Sequence, residues 1–315
     1  MPSSTPAALA LSPADVFAPS ALHEAWRRVR SNGGGAGGDG ETIPAFAARL
    51  DQRLAGLAAS LTSGRYRPGP LRRVPIAKPN GGQRELAIPC LVDRVAQTAL
   101  LIALTPLLDH RMSETSFAYR PGRSVAQALA AARADVARGR RVVVDADIAG
   151  FFDNVPHGPL LAELAIWLDD PRLLALIGVW LRGFGGDGRG LAQGAPLSPL
   201  LANLWLHPLD RLLAAAGLSA IRYADDFVVL CATAQEADHA LALVRGICTE
   251  RGLALHPGKT RIADAATVCF LGEILWPEPP SARMTDRNGP RALPGPNSRS
   301  GSADTRGPVP KPNRR

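Results

Sequence analysis

The chain has 315 residues, 46% of them hydrophobic and 20% charged, with a formal net charge of +8. That length supports one substantial core or two modest lobes, and no run of eighteen uncharged apolar residues occurs, which argues against a membrane-spanning helix. Met1 to Ala18 lacks a basic start and carries Asp15, unlike a secretory signal. Cys90, Cys231, Cys248 and Cys269 form no CxxC pair and sit among apolar neighbours, so they predict small core residues in a reducing cytoplasm rather than zinc ligands or disulfides. The charge is uneven. Residues 277–315 hold eight Lys/Arg against three Asp/Glu, a net of +5, which leaves +3 for the rest. Such a body is only mildly basic, and charge alone does not single out a polyanionic partner.

A Ser/Pro/Ala-rich stretch, 1–20, predicts an unstructured lead-in. Ala21 to Arg30 has helical spacing and runs into the Gly-rich break Ser31–Gly40. Ile43 to Leu61 is helical again, with Phe46, Leu50, Leu54, Leu57 and Leu61 three or four residues apart. Two short β runs, Leu71–Ile76 and Glu85–Ile88, flank Lys78-Pro79-Asn80-Gly81-Gly82, the turn chemistry of a hairpin. Leu91–Leu108, Ser124–Ala137 and Pro159–Leu181 read as helices, with a β run at Arg141–Ile148. Ser198 and Pro199 mark a helix start, with Ser198 as cap. Ile221–Leu230 reads as two β runs meeting at Asp225-Asp226, Glu236–Arg251 as a helix, and Val268–Leu275 as a last β segment. From 277 onward Pro, Gly, Ser and Arg dominate without apolar periodicity, predicting a disordered basic tail. Helices and hairpins without a βαβ rhythm indicate an α+β fold.

Two acidic β elements carry the chemistry. A surface turn can hold two aspartates cheaply, but Arg141–Ile148 supplies a second acidic run, with Asp145 and Asp147 on one strand face. Acid-tipped strands side by side would be costly unless a cation neutralised them, and their oxygens suit Mg²⁺. Two such ions about 4 Å apart can activate a hydroxyl and stabilise a leaving pyrophosphate.

The motifs then become specific. Tyr223-Ala224-Asp225-Asp226 resembles the YxDD box of reverse transcriptases, and Asp147-Ile148-Ala149-Gly150-Phe151-Phe152-Asp153 their first palm motif. Gln193-Gly194-Ala195-Pro196-Leu197-Ser198-Pro199, with Leu200-Leu201-Ala202-Asn203, resembles the third. Leu255-His256-Pro257-Gly258-Lys259-Thr260 resembles the lysine-bearing motif that follows, and Phe270-Leu271-Gly272-Glu273 the primer grip. They stand in the family's order, and the likeness spans roughly residues 22–276. Ala25–Arg30, Ala87–Arg94 and Phe117–Ser124 are most similar to the bacterial group II intron-like branch. Ser116–Ser124 with Val144–Ile148 looks most like its CRISPR-associated members.

The resemblance implies a right-hand polymerase: an N-terminal extension and fingers over 21–140, and an antiparallel palm sheet packed on helices over 141–276. It implies RNA-directed DNA synthesis from dNTPs on an RNA template and a DNA or RNA primer, with two Mg²⁺ ions (Mn²⁺ as a substitute). Asp147, Asp225, Asp226 and the Ile148 carbonyl would hold the metals, Asp225 being the stronger ligand of the adjacent pair. Asp145 would be a structural neighbour. Lys78 and Arg84 would grip the triphosphate, Phe152 would exclude a ribose 2′-hydroxyl, and Gln193 and Gly194 would form the floor for the nascent base pair. Lys259 would give a proton to pyrophosphate. Arg120 and Arg123 would contact template phosphates, and Phe270, Leu271 and Gly272 the primer. His157 and His256 read as structural.

Two departures from the pattern matter. Ala192 stands where relatives usually have proline, and 277–315 cannot build the helical thumb, so a partner would supply that surface or the gene is truncated. CRISPR adaptation proteins are the partners that the resemblance suggests. The competing readings are a non-catalytic, maturase-like RNA-binding module and a template-independent antiviral DNA polymerase.

Overall fold

The computed structural model describes residues 11–77 and 81–276. The expectations for Lys78, for the tip of the hairpin at 78–80, and for a tail and missing thumb after 276 lie outside the described residues.

The lead-in is shorter than expected. Ser12 and Asp15 cap one another's backbone and start helix α1 (Pro13–Val16), and Val16 and Phe17 are buried. Helix α2 (Pro19–Asn32) buries Leu22, Trp26 and Val29. The single helix expected over Ile43–Leu61 is two, α3 (Ile43–Ala47) and α4 (Leu50–Thr62). The fingers hairpin follows as β1 (Arg72–Ala77) and β2 (Gln83–Ile88), antiparallel, with Ile76 opposite Arg84.

Helix α5 (Leu91–Asp109) is the one helix among the described residues long and apolar enough to cross a membrane, with a mean hydropathy of 1.5. Here it is a core helix. It packs against α2 and α4, and Leu91, Val95, Leu100, Leu104 and Leu108 are sealed from solvent. Its first turn carries a buried polar node: Asp93 accepts from the Tyr66 hydroxyl and from the Gly69 amide (2.9 Å), and Trp180 Nε1 donates to the Tyr66 oxygen at 3.0 Å. Burial pushes the Asp93 carboxyl above its usual range, and the two donors pull against that shift.

Then come α6 (Val125–Ala137), β3 (Val142–Asp147) and the short α7 (Phe151–Asn154). Where one helix was expected over Pro159–Leu181, α8 (His157–Ala165) and α9 (Pro171–Phe184) are split, because Asp170 caps α9 and Pro171 opens it. Helix α10 (Ser198–Ala215) precedes β4 (Ser219–Tyr223), β5 (Asp226–Cys231) and α11 (Ala234–Glu250). The chain continues through β6 (Arg261–Asp264), β7 (Cys269–Phe270) and β8 (Glu273–Ile274).

Strands β4, β5, β3 and β6 form, in that order, one antiparallel sheet. Strand alternation sorts its residues between two cores. Val144, Ala146, Phe227 and Val229 join the larger core, which includes residues of α10 and α11, while Val143, Ile221, Val228 and Leu230 pack with α6 and the β7–β8 hairpin. This architecture is α+β. Cys90, Cys231 and Cys248 are buried as expected, but Cys269 is exposed. Tyr66→Phe removes the donor to Asp93 Oδ1 and the acceptor of the Trp180 N–H in a buried setting, so it is expected to lower unfolding free energy by about 1–3 kcal/mol, read by urea denaturation.

Candidate active site

Strand pairing sets Asp147, the last residue of β3, directly opposite Asp226, the first of β5. Directly opposed residues share a face of the sheet. Asp225 sits in the two-residue turn between β4 and β5, where Tyr223 pairs with Asp226. The other turn residue, Ala224, has φ 61°, a left-handed conformation that costs a non-glycine residue roughly 1–3 kcal/mol.

The strain at Ala224 is held from beneath. The fully buried Arg222 guanidinium donates to the Ala224 carbonyl and to Asn203 Oδ1, both at 2.9 Å. It also forms a bidentate pair with the buried Asp210 of α10, at 2.7 and 2.6 Å. Asn203 in turn donates to the Ala118 carbonyl at 2.8 Å. These residues tie the acidic turn to α10 and to the 113–124 loop. The sequence carries little sign of them: their types are ordinary, and their partners are set by the packing of α10 beneath β4.

A cavity of about 980 Å³ opens above the acidic strand ends. Asp147, Ile148, Phe152, Gln193, Gly194, Asp225 and Lys259 line it from the palm, and Arg84 from the fingers hairpin. Asp226 does not line it. The protein mass around the Asp226 carboxyl, followed by the charges of Asp145, Asp225 and Asp147, pushes it up to about 6. Asp225 is likewise raised by burial and by Asp147, against the opposing pull of its own backbone amide, Arg222 and Lys259.

Lys259 Nζ lies 3.1 Å from Asp147 Oδ2. Its segment is docked onto the end of β3: the His256 amide donates to the Asp147 carbonyl at 2.7 Å, and the Ala149 amide to the Ala254 carbonyl at 2.8 Å. Asp145 is paired instead with Arg261 at 3.2 Å and stays out of the cavity, as a structural neighbour would. His157 is also structural, its Nε2 lying 2.7 Å from the Gly190 carbonyl. His256 lines the cavity, with Nδ1 accepting from the Gly258 amide at 3.2 Å.

In donor type these residues fit hard divalent cations: clustered carboxylates whose mutual repulsion a metal relieves, with one ammonium already drawn to Asp147. Among the described residues, no three His, Cys, Asp or Glu side chains are closed around one point as a finished metal cage.

Gly194 lines the cavity at a point where a side chain would not fit. Its φ is 115°, and a Cβ there would stand 2.9 Å from the Ala87 carbonyl oxygen and 3.0 Å from Leu86 Cδ1. The Ala87 amide donates to the Gln193 carbonyl at 2.7 Å, so this close approach joins fingers to palm. Phe152 is half-buried and packs edge-on against Phe151. Ser198 is the first residue of α10 rather than its cap; its hydroxyl is buried at the cavity wall without a hydrogen-bond partner among the described residues.

Two expectations are corrected. Arg120 does not face a template: its buried guanidinium donates to Asp109 Oδ1 (2.7 Å), the Asp109 carbonyl (2.8 Å) and the Ser113 and Ser116 carbonyls (2.5 and 2.8 Å). Arg123 pairs with Glu114 and lies over the Phe117 ring, 5.3 Å from its centroid. Neither lines the cavity, because both are used in building the loop. In the expected primer grip, Phe270 is buried in the smaller core, and only the turn Leu271-Gly272, with φ 53° and 86°, reaches outward. None of the three lines the cavity.

An acid-tipped antiparallel palm beneath a hairpin, with a cavity of about 980 Å³ between them, is the arrangement of the nucleotide-polymerase class. Residues 76–275 match the model of the family "Reverse transcriptase (RNA-dependent DNA polymerase)", and the chain belongs to that family. It is 34% identical over 209 residues to Protein YkfC of Escherichia coli K12, covering 62% of this chain and 55% of that one. It is 34% identical over 169 residues to the group II intron-encoded protein LtrA of Lactococcus lactis, covering 51% and 28%. The chain thus spans about half or less of the length of these relatives. One chain of a solved partial Cas6-RT-Cas1–Cas2 complex is 29% identical, with a TM-score of 0.47, covering 74% of this chain and 41% of that one. Members of the family use divalent metal ions.

Arg222→Met would leave Asp210 charged and alone in the core. The expected loss is about 3–5 kcal/mol of stability by chemical denaturation, largely recovered in Arg222→Met/Asp210→Leu.

Proposed function

We propose that this chain extends a nucleic-acid primer with dNTPs on an RNA template, with Mg²⁺ at the acidic strand ends. The observation that carries the reading is the convergence of Asp147, Asp225 and Lys259 with Arg84, Phe152 and Gly194 on one cavity, with Asp226 in register beside Asp147. Bound Mg²⁺ would supply Lewis-acid activation of the primer hydroxyl and charge stabilisation at the departing pyrophosphate. Asp147, Asp225 and Asp226 would hold it. Arg84 orients the triphosphate through a fixed, forked cation. Lys259, whose ammonium lies 3.1 Å from Asp147 Oδ2, would give a proton to the departing pyrophosphate. Gly194 lets the base pair seat against the backbone, and Phe152 fills the space that a 2′-hydroxyl would need.

The likeness to the retron Mx65 reverse transcriptase of Myxococcus xanthus, 29% identical over 206 residues, supports the polymerase reading. The intact acidic set favours catalysis over an RNA-binding scaffold. A finer reading, the copying of RNA-derived spacers beside a CRISPR adaptation integrase, is supported by the likeness of Ser116–Ser124 and Val144–Ile148 to CRISPR-associated members. Co-purification with adaptation proteins encoded beside the gene tests it, and their absence from the neighbourhood would weigh against it.

Primer extension on poly(rA)–oligo(dT) with dTTP and Mg²⁺ tests the activity. The wild type is expected to extend the primer and Asp225→Ala/Asp226→Ala to be inert. Equal extension by both would place the active site elsewhere. Phe152→Val is expected to raise ribonucleotide incorporation by roughly tenfold, the scale of one misfit group in a pocket. Unchanged sugar selectivity would remove Phe152 from that role.

A further inference from the structure

Tyr119 is the large hydrophobic side chain that the 113–124 loop leaves exposed. Its neighbours on both sides are locked down. Ala118 is fully buried with its carbonyl taken by Asn203, and the Arg120 guanidinium is buried against Asp109 and two loop carbonyls. The loop is further stitched to β4 by the Phe117 amide on the Arg222 carbonyl and the Arg222 amide on the Thr115 carbonyl, both at 2.9 Å. Between these anchors Tyr119 takes φ 60°, a conformation that a bulky aromatic residue rarely adopts. It is 55% exposed, against 0% and 8% for Ala118 and Arg120, and it lines the 980 Å³ cavity together with Asp225 and Arg84.

A strained backbone persists only where its surroundings over-determine it. Burying the ring would serve stability, yet this loop holds it out into the cavity. An aromatic face beside phosphate-binding and acidic groups suits a flat, partly apolar partner. Nucleobases are such partners, because every base presents a π-face to an aromatic side chain.

Accordingly, we propose that Tyr119 is a positioning residue that packs its ring against a nucleobase or its sugar at the polymerising end of the primer–template. Arg120, Arg123 and Asn203 serve to present it. The inference rests on the polymerase reading and adds the contact that aligns the nucleic acid. The bound strand can be the template or the primer, and both offer the same chemistry.

The test uses the full chain with an RNA template and a DNA primer carrying 2-aminopurine either at the templating position or at the primer 3′ terminus, without dNTP. Wild type and Tyr119→Phe are expected to change the emission of one probe on binding, and Tyr119→Ala to lose that change. The probe that responds identifies the strand. Affinity for primer–template is expected to fall about 5- to 150-fold in Tyr119→Ala, the range for one stacked base, and to stay near wild type in Tyr119→Phe. The ring is exposed, so folding of Tyr119→Ala is expected to be intact and is checked by its thermal unfolding midpoint. If the wild type extends primers while Tyr119→Ala keeps both affinity and emission change, the role of Tyr119 is overturned and the polymerase reading stands. If the wild type neither binds nor extends primer–template, both are overturned.

Discussion

Three carboxylates meet where β3 ends and β5 begins, and the ionisation of each makes the next one costlier. Strand register enforces the meeting, since Asp147 cannot leave the neighbourhood of Asp226 without breaking the β3–β5 ladder. Asp226 is pushed up to about 6, first by its protein surroundings and then by the charges of Asp145, Asp225 and Asp147. Much of the surrounding structure answers that charge. Lys259 leans on Asp147, Arg261 neutralises Asp145, and Arg222 lies beneath the turn that carries Asp225.

Arg222 links this charge problem to the fold. A guanidinium without solvent contact is stable only when it is paired and hydrogen-bonded, and here one bidentate carboxylate, one amide oxygen and one carbonyl meet that need. The same bonds hold α10 to the acidic turn. Because Asn203 also reaches the Ala118 carbonyl, the turn and the loop presenting Tyr119 share a support. A disturbance in either would be felt by the other, while the Tyr66–Asp93–Trp180 node ties α5 to α9.

The fingers and palm communicate through backbone rather than side chains. Gly194 allows the chain to approach Ala87 closely enough for the Gln193–Ala87 hydrogen bond, and a side chain there would force the hairpin away. Gly194 and Phe152 both line the cavity that this approach leaves open.

The sequence by itself determined the parts whose physics is local. Three consecutive valines followed by Asp145 and Asp147 mark β3, the YADD box marks a turn between strands, and Gly194 and Phe152 stand out by residue type within a recognisable motif. Helix breaks were less legible: Asp170-Pro171 splits an otherwise continuous apolar pattern, and β6, with the bare sequence Arg261-Ile262-Ala263-Asp264, is a strand because β3 pairs with it. Tertiary structure alone decided which charges face the site. Arg120 and Tyr119 are adjacent, and a sequence reading favours the cation as the nucleic-acid contact. Yet Asp109, Ser113 and Ser116 draw the arginine inward, and the left-handed backbone at Tyr119 turns the ring out. The roles of Arg222, Asp210 and Asn203 were hidden for the same reason. A buried charge declares itself only through its partners, and those partners are assembled by the packing of α10 against β4, which no local pattern of residues encodes.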